Sequence, residues 1–539
     1  MIAKAGRFWR TVRHLRPVQI SGRLWFTLRR PRPVLTSPPP LRPLPVSWQT
    51  PARHAASLVS PTRFRFLNAE ADLTEIGWDH PDQPKLWRYN QHYFDDLHGE
   101  GAGARVDWHR ALIEAWIAGN PPGTGTGWEP YPTSLRIVNW VKWGLNGNAH
   151  SAVAIHSLAV QARWLMRRLE YHLLGNHLFA NAKALVFAGL FFEGAESRTW
   201  LERGLNILAR EISEQFLLDG GQFELSPMYH ALAVEDMLDL INIAEAYGRE
   251  SIAALWRGRV PSMLRWLQAM SHPDGGISFF NDCAFGIAPD NAELRDYAYR
   301  LHVPASEALP QLTHLENSGY VRMQAGAFTL LADLARIGPD YLPGHAHADT
   351  LSFELSYAGQ RVFVNSGTSE YGTGPERLRQ RGTAAHNTVA VDMRNSSEVW
   401  SGFRVGRRAR PQSVSVESDG GALYAQASHD GYRHLAGQPL VSRRFEVQAS
   451  SFVVADAVSI DMPAKARFHL HPSVSVNALT EDGAILTLSS GQQLRLQCSG
   501  EPLMVEDSSW HPEFGVTLPN RCLVLPLVAG HATLTMTSM

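Results

Sequence analysis

The apolar residues change period once along the chain, and that change restricts the fold to two unlike halves. From about Arg105 to Gln268 they recur at three- and four-residue steps. Leu158, Ala162, Leu165, Leu169 and Leu173 form one such series. Ala184, Leu185, Phe187, Leu190 and Phe191 form another, and Leu240, Ile243, Ala244 and Tyr247 a third. This spacing puts the side chains on one buried helical face. Breaker groups such as Gly119-Asn120-Pro121-Pro122 and Leu218-Asp219-Gly220-Gly221 separate the segments. After about Leu309 the period becomes two. Leu351, Phe353, Leu355 and Tyr357 alternate before the turn Ala358-Gly359-Gln360, and Leu486 and Leu488 lead through Ser489-Ser490-Gly491 to Leu494, Leu496 and Cys498. These are hairpin signatures. The expectation is an α+β multidomain protein: a helical domain over 61–308, then an antiparallel β-sandwich over 309–539.

Residues 1–60 read differently. Met1 to Pro33 holds nine Lys or Arg and no acid, with Phe8, Trp9, Val12, Leu15 and Val18 at helical spacing. Arg7, Arg10, Arg13 and Arg16 interrupt every run long enough for a secretory leader. The stretch reads as a basic amphipathic helix. It either docks on an anionic membrane surface or protein partner, or packs on the protein's own body with its arginines in water. A cytoplasmic or membrane-peripheral location follows, with a periplasmic one as the alternative. Pro31 to Pro45, with seven prolines, reads as an extended linker. Over the whole chain of 539 residues, 50 Lys and Arg oppose 51 Asp and Glu, so bulk charge gives no argument for a nucleic acid partner.

Three segments concentrate chemistry. In Leu174-Gly175-Asn176-His177, Gly175 ends one helix and Asn176 caps the next, setting an amide and an imidazole at a helix N-terminus suited to a carboxylate. Ordinary capping reads equally well. In Ser226-Pro227-Met228-Tyr229-His230, Ser226 is the N-cap and Pro227 the first helical residue, so Tyr229 and His230 fall in the first turn. In Gly344-His345-Ala346-His347-Ala348-Asp349, a strand would project His345, His347 and Asp349 from one face. They would serve as metal ligands with His386, or as a surface pair. Trp87, Tyr89, Tyr131 and Arg136 lie in two further runs that mix aromatic platforms with polar groups, as acidic sugars require. Core packing is the alternative for them.

Together these segments, with Val364-Asn365-Ser366-Gly367-Thr368 and Ala385-His386-Asn387-Thr388, resemble the heparinase II/III-like polysaccharide lyases. The resemblance runs from Leu86 into the β domain. It implies an incomplete α/α toroid followed by stacked antiparallel sheets, with the cleft between them. It also implies β-elimination on an acidic polysaccharide or oligosaccharide; the lack of a readable secretory leader would fit action on the cell's own exopolysaccharide or surface glycan. Asn176 would hydrogen-bond the uronate carboxylate, and His177 and His345 would polarise it or one of them act as base. Tyr229 would be the acid, or also the base as phenolate. Trp87, Tyr89, Tyr131, Arg136 and His230 would bind sugar. His347, Asn365 and His386 match a structural zinc site in which Asn365 replaces the usual Asp, with Asp349 as a substitute ligand. Two rivals remain: a non-catalytic glycan-binding protein of polysaccharide assembly or export, and a glycoside hydrolase using Glu129 and Glu224 set about 5–10 Å apart.

Overall fold

The computed structural model describes residues 2–45, 47–480, 482–499 and 501–539; Met1, at the head of the basic segment, lies outside them. The helical half includes Val106–Gly119, Pro130–Leu145, Ala152–Met166, Gly175–Phe191, Ala195–Gln215, Pro227–Ala246, Val260–Ala269 and Asn291–Arg300. One core runs through it, anchored by Trp116, Trp140, Trp143 and Phe187. Gly189 lets two of these helices touch: a β-carbon there would lie 2.6 Å from the Leu201 backbone nitrogen.

The β half is antiparallel throughout its paired strands. A five-stranded meander runs Leu312–Leu315, Tyr320–Ala325, Phe328–Asp333, Phe353–Tyr357 and Gln360–Phe363. Behind it lie an eight-stranded sheet and a four-stranded sheet. Phe353, Phe445, Phe452 and Phe468 meet in their shared core. Ser451–Val458 alternates half-buried and buried side chains along its whole length, as a strand with one core face must.

Four local expectations are corrected. The helix Ala152–Met166 stops before Leu169 and Leu173, because residues 167–174 turn back under Asn181, whose Oδ1 accepts from the Glu170 N–H at 2.9 Å. Residues 344–352 are not a strand. Their backbone pairs with loops instead, Ala348 N–H donating to Arg381 O at 2.9 Å, and strand geometry starts only at Phe353. The prolines from Pro31 to Pro45 do hold an extended chain, but not a free one. Arg163 donates to Thr36 O and Ser37 O at 2.6 and 2.9 Å, and Glu193 N–H donates to Pro40 O at 2.7 Å. Finally, the basic segment is two helices, α1 (Ile2–Val12) and α2 (Pro17–Leu28), parted by Pro17 at the start of the second. On α1 the arginines Arg7 and Arg10 face the body, while Phe8 and Trp9 face water.

Candidate active site

Tyr229 sits where the local sequence puts it. Ser226 Oγ accepts from the Tyr229 N–H at 3.2 Å and Pro227 opens the helix, so the ring leaves the first turn on its exposed side. Its ring centroid is 4.0 Å from that of His345, and its hydroxyl is 2.8 Å from the hydroxyl of Tyr371. Burial, then the neighbouring Tyr371, pushes the Tyr229 phenol well above its ordinary value. Tyr229 therefore keeps its proton at neutral pH. That suits an acid and not a phenolate base.

His345 is placed from the opposite wall by a buried carboxylate. Asp282 Oδ2 lies 2.9 Å from His345 Nδ1, and its other oxygen 2.8 Å from His347 Nε2. Arg377 grips both oxygens, with Nη2 at 2.7 Å from Oδ2. Burial opposes the charge on Asp282, but Arg377 and the two imidazoles outweigh it and hold the carboxyl well below its usual range. A carboxylate that stays ionised requires His345 to carry its proton on Nδ1. Nε2 then carries the lone pair, 3.6 Å from Glu224 Oε2.

The third group is the helix N-terminus at Gly175–Phe191. Leu174 takes the N-cap position with φ +62°, and Gly175 is the first helical residue, so Asn176 is not the cap. Asn176 and His177 instead occupy the first turn, beside the positive end of the helix. Among the described residues Asn176 makes no side-chain hydrogen bond. His177 lies 3.2 Å from Glu170 Oε1 and 4.5 Å, ring to ring, from Tyr131. Burial works against its charge, but Glu170 outweighs burial and raises it above the ordinary histidine value. Glu224 links this turn to His345: a β-carbon on Gly175 would stand 3.3 Å from Glu224 Oε1.

The sugar-binding candidates divide. Tyr89, Tyr93, Tyr131 and His177 form a row of rings with centroids 6.3, 6.0 and 4.5 Å apart. Tyr89 and Tyr131 are half-buried in that row. Trp87, Arg136 and His230 are corrected to core residues. Trp87 is 1% exposed and donates to Ala69 O. The Arg136 guanidinium lies over the Trp116 ring at 3.7 Å and donates to Gln161 and His92 O. His230 accepts from the Gln222 N–H and bonds Met263 O, leaving no free nitrogen.

The zinc expectation meets a similar division. His347 Nδ1 and His386 Nε2 face each other at 3.2 Å, close to the roughly 3.3 Å between two nitrogens on one tetrahedral zinc. Burial lowers both imidazoles, to about 4 and about 3, so both are neutral. The third position offers a neutral amide and not the usual carboxylate. Asn365 Oδ1 already accepts from the Asn387 N–H at 3.2 Å, and Asp349 accepts from the Asn281 N–H at 3.2 Å, with burial raising its carboxyl. Among the described residues no three His, Cys, Asp or Glu gather at one point for a metal. In this structure His347 and His386 stand as a hydrogen-bonded pair, with the Asn365 amide in place of a carboxylate as the third candidate donor.

Sequence reasoning missed Asp282, Tyr371, Arg377 and Phe403, whose ring centroid is 6.1 Å from that of His345. Asn281-Asp282 between the buried Phe279-Phe280 and Cys283 was the available signal: an ionisable residue inside an apolar run. Tyr371 has no comparable mark.

A helical domain is set against antiparallel sheets, with a tyrosine and a histidine facing each other across the join. The chain belongs to the heparinase II/III-like family: the family model of the heparinase II/III N-terminus matches residues 149–300, and that of the heparinase II/III-like C-terminal domain matches 307–535. It is 26% identical over 354 residues to a heparin-sulfate lyase of Bacteroides stercoris, covering 61% of this chain and 51% of that protein. It is also 26% identical over 367 residues to FtsZ-localized protein C of Caulobacter vibrioides, covering 63% of this chain and 60% of that one. The chain thus spans about half to three-fifths of the length of these relatives. The crystal structure of a heparan sulfate lyase mutant from Pedobacter heparinus shares the fold, with TM-score 0.60 at 19% identity over 88% of this chain and 81% of that one.

Proposed function

We propose that the chain cleaves a uronic-acid-containing glycan by β-elimination. The observation that carries this reading is the Tyr229–His345 pair: a phenol kept protonated, in ring contact with an imidazole whose Nδ1 is held by Asp282. Asn176 and His177 neutralise the substrate carboxylate, which acidifies the adjacent C5 proton. His345 Nε2 removes that proton. Tyr229 protonates the departing glycosidic oxygen, and Tyr371, hydrogen-bonded to it, supports that transfer. The developing aci-carboxylate is stabilised by the Asn176 amide and the helix N-terminus, as in an oxyanion hole. Tyr89 and Tyr131 offer half-buried faces for sugar stacking. The substrate is an acidic polysaccharide, on this reading the cell's own exopolysaccharide or surface glycan. The basic N-terminus makes the contact with a membrane or protein. No step of the scheme is routed through a metal.

The hydrolase rival is disfavoured, since Glu129 is tied to Lys85 and to the Tyr89 hydroxyl, which removes it as a free partner for Glu224. Binding without turnover keeps one observation in its favour: the relative FtsZ-localized protein C is named for its location and not for a reaction. A panel of uronate polymers, read by ultraviolet absorbance of the conjugated unsaturated product, tests the lyase reading. Turnover on at least one polymer, abolished by carboxyl reduction of that polymer, is expected. Binding with no turnover across the panel would establish the second reading, and equal cleavage of the reduced polymer would rule out uronate elimination.

A further inference from the structure

An ordinary surface helix turns its apolar stripe inward. α2 does the reverse. Its inner face is Gln19, Gly22 and Phe26. Gln19 donates to Tyr341 O at 3.2 Å, a β-carbon on Gly22 would stand 3.1 Å from the His172 backbone nitrogen, and Phe26 lies against His172 with the Arg168 guanidinium over its ring at 3.4 Å. Its outer face carries Ile20, Leu24 and Leu28 at four-residue steps, with Trp25 beside them, at 53, 61, 80 and 60% exposure. α1 repeats the arrangement. Arg7, Arg10 and Thr11 seat it on Trp400 and Glu398, and Phe8 and Trp9 point outward at 54 and 65% exposure.

The charge carried by the two helices and the chain that follows them has one sign, although Glu398 and Glu214 of the body pair with Arg10 and Arg16. Arg13, Arg23, Arg29, Arg30 and Arg32 are exposed, and the first acid in the chain is Glu70. An apolar stripe flanked by arginines, with tryptophans at its edge, matches the boundary between acyl chains and anionic headgroups. A protein partner of ordinary composition offers no such uniform negative field.

We infer that the outward faces of α1 and α2 dock this protein on an anionic lipid bilayer, with Phe8, Trp9, Leu24, Trp25 and Leu28 inserted and the arginines paired with lipid phosphates. The inner faces of the same helices hold the loops that border the cleft. Gln19 and Arg16 hold Tyr341, four residues before His345, and α1 holds Trp400, three residues before Phe403. A docked protein therefore works beside the membrane on glycan within reach of it.

Flotation of the full chain with vesicles tests this, using phosphatidylcholine alone and phosphatidylcholine containing one part in three phosphatidylglycerol. The expected result is at least about tenfold more protein on the anionic vesicles, falling with salt. The Leu24→Asp/Leu28→Asp variant should lose about tenfold of that binding with an unchanged melting curve, because both side chains face away from the body. Trp9→Ser gives the same reading on α1 should the double variant misfold. Absence of wild-type binding to anionic vesicles, or variants that bind as well as wild type, would overturn the inference. So would a wild-type dimer that the variant dissolves without any vesicle binding, which would assign the face to a second copy. None of these substitutions touches the cleft, so failure here leaves the lyase reading standing, and failure of the lyase reading leaves this one.

Discussion

Tyr229 is placed by four consecutive residues: a serine cap, a proline, a methionine and the tyrosine itself. His345, which faces it, is placed by groups scattered along the chain: the buried Asp282 carboxylate, the Arg377 that grips it, and the Phe403 ring. The helical wall of the cleft is thus local and the loop wall non-local. Local placement survives loss of a side chain, because the backbone has already set the direction. Non-local placement does not, because the side chains are themselves the scaffold.

The sharpest test of the helical wall is Tyr229→Phe. It removes one hydroxyl, so kcat should fall about 10²–10⁴-fold with KM and melting temperature unchanged. Activity within about tenfold of wild type would dismiss Tyr229 as the acid. The loop wall should respond in the opposite way to Asp282→Ala. That change strips the partner from Arg377, His345 and His347 at once, and an uncompensated buried charge costs about 3–5 kcal/mol. Chemical denaturation should show this loss together with loss of turnover. A stable, inactive variant would mean that the two walls are built alike.

Asn176→Ala comes next. Its amide acts on charge that develops during reaction, so kcat should drop about 10²–10³-fold and KM change less. A smaller effect belongs to pH. Glu170 raises the His177 imidazole, so their attraction is complete below about pH 6.5, the ordinary histidine value, and fades as pH climbs through the raised one. KM should increase along that alkaline limb by about two- to fivefold, the scale of a partly exposed ion pair. His177→Gln should flatten the limb, and an unchanged profile would remove His177 from carboxylate binding. Last, Asn365→Asp should replace the weak amide ligand with a carboxylate. Elemental analysis should find well under one zinc per chain in the natural protein and about one in the variant. Full occupancy of the natural protein would show that an amide suffices.

The same contrast explains what could be read from the chain alone. The helix-then-sheet order, the Ser226–Pro227 cap and the 358–360 turn are all encoded within a few residues, and the fold follows them. The first-turn position of Tyr229 was legible for that reason, whereas Asn176, expected as a cap, lies inside the first turn. His345 and His347 were found by residue type but assigned a strand face, because nothing within six residues reveals that both rings turn toward Asp282, more than sixty positions upstream. Trp87 and Arg136 were misread because an aromatic or an arginine looks the same in sequence whether it lines a cleft or fills a core. The Arg136–Trp116 stack becomes visible only in three dimensions.

The strap from Pro31 to Pro45 has a consequence for synthesis. Its anchors lie far downstream: Arg163 follows Thr36 by 127 positions, and Glu193 closes on Pro40. At about 5–20 residues per second, a ribosome needs roughly 6–25 s to add those 127 residues. During that interval α1 and α2 emerge with tryptophans and arginines exposed and no folded body to rest on. The seat that these helices take on the body is therefore made only after the downstream helices have been synthesised.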